Sequence, residues 1–433
     1  MRVIRPDQPT QTPSPYLPPT QPDAIVGFDA LRAFAALAVV ALHAGVPYAR
    51  HPMPGLVWPV WDTSSRIVDA VFWSIEVIIM PLFLMMAGFL LCRSSRRDSP
   101  NRLIQSKAKR LLIPLAFGIV VILPISLYIW TAGLVVEGVV PAIKLKSLKF
   151  PTPISEQIWG LSHLWFLLYV FLYVVVAACL IQTASRTPFA RISQAVSRPK
   201  VLLAILACVA VTTLAAAPQV VWGFQHAFLP VPSKWIYSGV FFAAGYGLAI
   251  HDGQLQWVAR SSPRLLSLGV VLLSTSVLLG TWSLEHSLGG PTPNHAATFL
   301  MALLTVAAAG TITLGSIGAS TRYITHVPRP ILYVASASFW IYLVHHPLLG
   351  LIHCDIKWLW PAASPLVKMS VSFFTATSLS LLMYESFVRR TRFGQWLGFS
   401  HREKPKPATV QTDQETTLPI PRRVPETETR RAA

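Results

Sequence analysis

The chain has 433 residues, 53% hydrophobic and only 12% charged, with a mean hydropathy of +0.52 and a formal net charge of +18. Soluble domains carry about 25% charged residues, so this composition reads as an all-α integral membrane protein and excludes an ordinary soluble enzyme. The basic excess does not point to nucleic acid, because Lys and Arg sit in short segments between apolar runs, as membrane topology signals do.

Residues 1–24, rich in Pro, Thr and Gln and lacking an apolar core, read as a disordered cytoplasmic tail and not a signal peptide. Apolar runs follow at about 28–47, 68–91, 111–132, 162–182, 201–217, 235–250, 265–283, 296–315, 331–352 and 364–385. They predict a bundle of about ten transmembrane helices within one domain spanning 25–395. Residues 396–433 read as a second disordered tail, basic and cytoplasmic. With the N-terminus inside, Lys and Arg favour the inner segments roughly four to one, so both termini are expected in the cytoplasm. Four cysteines lie far apart without metal-ligand spacing and read as small apolar residues; no metal is expected.

The first apolar run contains Arg32 and His43. Ionisable groups inside a span are costly and point to function. Eleven steps of about 100° end roughly 20° past three turns, so both side chains share one face, about 16 Å apart along the axis. A fixed positive charge near the inner side and a titratable base near the outer side would line one internal path. Alternatively, Arg32 snorkels to lipid headgroups and His43 is an interfacial histidine.

In the second run Glu76 lies at a depth that lets it approach His43, where a carboxylate would orient the imidazole. Alternatively, it is a neutral, hydrogen-bonded buried acid or faces the outer vestibule. The fourth run opens with His163 and Trp165, a histidine and an aromatic face suited to a hydroxylated acceptor, or simply interfacial residues. In the ninth run, offsets of four and seven put Ser338, Tyr342 and His345 on one face. These three either serve a site or hydrogen-bond across a helix interface. His346 points elsewhere and reads as structural, and Glu385 reads as a salt-bridge anchor beside Arg389 and Arg390. The cytoplasmic loop expected between the second and third runs carries Arg93, Arg96, Arg97, Arg102, Lys107, Lys109 and Arg110. Such a cluster sets topology or touches anionic lipid, and could also dock a phosphorylated cosubstrate. No Walker loop, dinucleotide glycine pattern, HExxH or nucleophile elbow is present.

These residues together resemble the membrane acyltransferase-3 superfamily. Arg32 and His43 match its Arg, ten residues, His signature, led by Asp29-Ala-Leu. Met80-Pro-Leu-Phe through Gly88-Phe89, Lys109-Arg-Leu-Leu-Ile-Pro114, His163-Leu-Trp-Phe166 and Ser338-Phe-Trp-Ile-Tyr-Leu-Val-His345 look most like the branch that succinylates periplasmic glucans. The likeness spans about 25–395. Departures are Ala87 where many members have Ser, an altered Arg110-to-Pro114 motif, and Glu385-Ser-Phe387 in place of Glu-x-Pro.

The resemblance implies an O-acyltransferase in a bacterial inner membrane. Its acyl group, acetyl or succinyl, would come from cytoplasmic acyl-CoA and pass to a hydroxyl of an extracytoplasmic glycan or lipid-linked sugar. No permanently bound cofactor is implied; acyl-CoA is a cosubstrate, and the lipid bilayer is the remaining partner. On this reading His43 is the general base, supported by Glu76. Arg32, Lys109 and Arg110 hold the CoA phosphates. Tyr342, Ser338 or His345 donate to the oxyanion, and His163 with Trp165 meet the acceptor. A proton-coupled transporter using His43, Glu76 and His345 as a relay, or a non-catalytic scaffold, remain as alternatives.

Overall fold

In a bilayer the backbone must satisfy its own hydrogen bonds, which helices do within one segment. The computed structural model describes residues 25–152, 154–183, 198–286 and 295–398, and every regular element among them is helical. The long helices are α1 (Val26–Gly45), α2 (Arg66–Ser95), α3 (Pro100–Phe117), α4 (Leu123–Val136), α5 (Trp165–Thr183) and α6 (Pro199–Ala216). They continue with α7 (Pro232–His251), α8 (Gln256–His286), α9 (His295–Tyr323), α10 (Arg329–Leu359) and α11 (Pro365–Met383). Proline opens α3, α6, α7 and α11, where its missing N–H would have no partner anyway. The tails expected over 1–24 and 396–433 lie outside the described residues, apart from 396–398.

Nine helices among the described residues are long and apolar enough to cross a membrane, with α3 and α4 counting as one span from Pro100 to Val136. The sixth expected run, 235–250, corresponds to α7, which carries Lys234, Tyr237 and Tyr246 and falls short of that apolarity. Between α3 and α4 the helix widens into a π-type turn, Gly118–Ile122, just before Pro124, which has no N–H for the regular ladder. The basic segment 93–110 is not a loop. Helix α2 runs on through Arg93 to Ser95 and α3 begins at Pro100. Only a short turn separates them.

Helices α1, α2 and α10 form the inner core, with 67%, 61% and 67% of their apolar windows buried against 17–39% for the other spans. They are the helices that carry His43, Glu76 and His345. Helix α7 lies against α2 at backbone contact: a Cβ on Gly88 would meet Phe242 O at 2.0 Å, and one on Gly245 would meet Met85 O at 1.9 Å. Small residues permit this approach, as they do between membrane helices generally. Beyond α1, the segment 46–65 folds back over the bundle. Asp62 and Ser65 N–H donate to Pro47 and Tyr48 O, and Phe224 N–H donates to Pro54 O at 2.7 Å.

Candidate active site

His43 lies in the last turn of α1, where its side chain meets α10. Its Nδ1 is 2.8 Å from Val39 O and 3.3 Å from His345 Nε2. His345 is fully buried, and its own Nδ1 sits 3.0 Å from Ile341 O and 2.9 Å from Tyr342 O. Carbonyls only accept, so each Nδ1 carries the hydrogen, a tautomer assigned from these partners. His43 Nδ1–H is then shared between Val39 O and the lone pair of His345 Nε2. The Nε2 of His43 is left as the basic nitrogen. His43 lines a cavity of about 90 Å³, with Glu76, His163, Trp165, Lys234, Tyr237, Tyr342 and His346 also on its wall.

Stacked rings make one side of that wall. His346 lies between Trp130, 4.7 Å away at 10°, and His163, 4.6 Å away at 22°. His346 was expected to be structural and to point elsewhere; it instead lines the cavity with its ring 5.3 Å from that of His43. His163 donates from Nε2 to Leu343 O at 3.2 Å and is buried inside the stack, not at an interface. The Tyr342 hydroxyl donates to His163 O. Behind them Trp58 Nε1–H donates to His353 Nδ1 at 3.0 Å. A core so closely stacked holds His43 in one orientation.

The charged side of the cavity differs from the expectation. Glu76 reaches the cavity, but the polar contacts of His43 Nδ1 go to Val39 and His345, so no direct pairing of Glu76 with His43 forms. Glu76 instead interacts electrostatically with Lys234, which lies just before the apolar run expected at 235–250. Lys234 is 8% exposed, donates to Gln225 O at 3.2 Å, and sets its ammonium 4.1 Å over the ring of Trp165. The only signal for it in the sequence was a lysine just inside a proline-opened helix.

Ser338 and Tyr342 do not offer free donors. Ser338 Oγ donates to Ala335 O at 2.8 Å, and Ser338 does not line the cavity. It shares a face with His345 but lies about 10 Å along the axis from it. Both hydroxyl hydrogens are engaged in this structure, so an oxyanion role for either would require its present bond to be exchanged. At the far end of α1, Arg32 Nη2–H also donates to Ala335 O, at 2.8 Å, and Nη1 lies 3.2 Å from Asp29 Oδ1. Arg110 stands within electrostatic reach of Arg32, and both Lys109 and Arg110 are exposed. Glu385 pairs with Arg389 at 2.8 Å and accepts from Tyr333, an anchor as its position suggested.

Residues 25–385 match the sequence model of acyltransferase family 3, described as an acyltransferase domain. No curated protein and no solved structure matches the chain.

Proposed function

The chain belongs to that acyltransferase family, and from this premise we propose that it transfers an acyl group from cytoplasmic acyl-CoA to a hydroxyl of an extracytoplasmic glycan, in a bacterial inner membrane. The observation that carries the reading is the state of His43. Its Nδ1–H is tied to Val39 O and His345 Nε2, its Nε2 makes no hydrogen bond among the described residues, and the ring lines a cavity.

In the proposed reaction, His43 Nε2 takes the proton of the acceptor hydroxyl as that oxygen attacks the thioester carbonyl. The C–O bond forms, the C–S bond breaks, and the imidazolium returns the proton to the departing thiolate. Acyl ester and free CoA result. While His43 is charged, the lone pair of His345 Nε2 accepts from Nδ1–H and supports it, as a carboxylate does in other histidine bases. The base is thus oriented by a second histidine. Arg32, Lys109 and Arg110 at the opposite end of the path are suited to the CoA phosphates, since guanidinium forks match phosphate oxygens. The pantetheine arm would cover the roughly 16 Å between Arg32 and His43.

The test uses the full chain in nanodiscs with radiolabelled acetyl-CoA and succinyl-CoA and a glucan acceptor. Label should reach the glucan and free CoA should appear in equal amount. Absence of both, from protein that binds CoA, would overturn the reading. Orientation is checked separately in a cysteine-replaced background. Cysteines introduced in 139–152 should react with an impermeant maleimide in intact cells, and those in 96–99 should not; the reverse pattern overturns the cytoplasmic donor site.

A further inference from the structure

We propose that Glu76 and Lys234 form the acceptor subsite, an open charge pair that grips one hydroxyl of a neutral sugar ring and so presents the adjacent hydroxyl to His43 Nε2. This rests on the transferase reading and narrows its acceptor to a vicinal diol without charge.

The bundle brings the two groups level. Helices α2 and α7 run parallel and touch at Gly88 and Gly245. Glu76 lies twelve residues before that contact and Lys234 eleven, rises of about 18 and 16.5 Å on the same side. Both reach the cavity that His43 lines.

Their hydrogen bonding is unspent. Among the described residues Glu76 accepts no hydrogen bond and does not close into an ion pair with Lys234, although each lies within electrostatic reach of the other. An ammonium has three hydrogens, and Lys234 gives one to Gln225 O while aromatic faces of Trp165 and Phe224 flank it at 4.1 and 5.6 Å. Buried charges are normally paired and hydrogen-bonded, because an incomplete pair leaves desolvation uncompensated. An open pair facing a cavity is completed by a ligand.

A hydroxyl completes it on both sides. It donates its hydrogen to the Glu76 carboxylate and accepts from the Lys234 ammonium. Charge selects against the alternatives: an added anion would face Glu76, an added cation Lys234. Space sets the rest, since a cavity of about 90 Å³ holds on the order of six waters. That is room for one edge of a ring with two hydroxyls. Met53, Leu56, Val221 and Phe224 offer the apolar surface that a sugar's C–H face needs.

The experiment compares trans-1,2-cyclohexanediol with cyclohexanol as acceptors for radiolabelled acetyl-CoA, using the full chain in nanodiscs. Wild type should prefer the diol by about tenfold or more in kcat/KM, the scale of a hydrogen bond to a charged group. In Glu76→Gln and Lys234→Met that ratio should fall towards one while CoA still stabilises the protein against heating, which reports folding and the donor site. A wild-type ratio near one, or variants that keep the wild-type ratio, overturns the subsite. Failure of the transferase reading looks different: no label on either alcohol and no release of CoA.

Discussion

The two ends of α1 are built on opposite rules. At the His43 end the polar groups are enclosed by Trp58, Trp130, His163, His345 and His346, and the base has two fixed partners. At the Arg32 end the side chain is 37% exposed, its guanidinium pairs with Asp29 and one carbonyl, and a second cation, Arg110, lies within electrostatic reach. Like charges held together with exposed faces suit a highly charged ligand arriving from solution. A preoriented neutral base in a small cavity suits a single proton transfer. On the proposed reading, chemistry and capture are separated along one helix.

That separation predicts a split in kinetics. His43→Ala should lower transfer by about 10²- to 10⁴-fold, the usual loss for a general base, and leave CoA affinity unchanged. Stopped assays of label transfer beside calorimetry of CoA binding measure both. Weakened CoA binding in this variant would break the division of labour. Arg32→Ala should do the converse, weakening CoA by about tenfold or more, since charged hydrogen bonds contribute about 1.5–3 kcal/mol. Arg32→Lys should recover part of it, keeping the charge and losing the fork. Unaltered CoA affinity in Arg32→Ala would make Asp29 and Ala335 its whole purpose.

His345 sharpens the comparison within the buried end. It does not reach the acceptor in this reading; it acts through His43. His345→Ala should lower kcat by about tenfold or more, the scale of one hydrogen bond to a charged group, with little change in KM for CoA. His345→Gln keeps an acceptor oxygen near Nδ1–H and should restore most of the rate. Equal losses in both variants would mean the imidazole serves packing alone.

The i, i+11 relation of Arg32 and His43 was legible because both sit on one helix, where period and rise fix face and depth. Span number and fold class were legible for the same reason: apolar length is a local property. Ser338 shows the limit. A shared face with His345 gave direction but not depth, and one helix cannot say which level the cavity occupies. Lys234 was hidden more deeply, since its place follows from α2 and α7 touching at Gly88 and Gly245, a relation between two helices. Hydropathy also marked where lipid ends, not where helices end. So α2 and α3 run on through the basic segment that composition alone assigned to a loop.

The smallest expected effect lies on the roof over the buried end. His51, in the segment after α1, bridges Asp69 on α2 at 2.7 Å and Glu285 on α8 at 2.6 Å. Its backbone N–H donates to Asp69 as well, at 2.9 Å. Burial opposes charge on this ring, but the two carboxylates outweigh it and raise the pKa of His51 above 6.5. A raised folded value means protonation is favoured more in the folded state than in the unfolded one. The bridge therefore contributes fully below about pH 6.5 and fades as pH rises through the higher folded value. The hydrogen bond from His51 holds Glu285 below its ordinary value, so that carboxylate stays charged across the window. Thermal unfolding of the wild type in nanodiscs should fall modestly with pH above neutrality, and His51→Ala should flatten that slope. Because Met53 and Leu56 on the same segment line the His43 cavity, the loosened roof should also raise KM for the acceptor more than for CoA. An identical slope in the variant would assign the pH dependence to another group and leave His51 a simple tether.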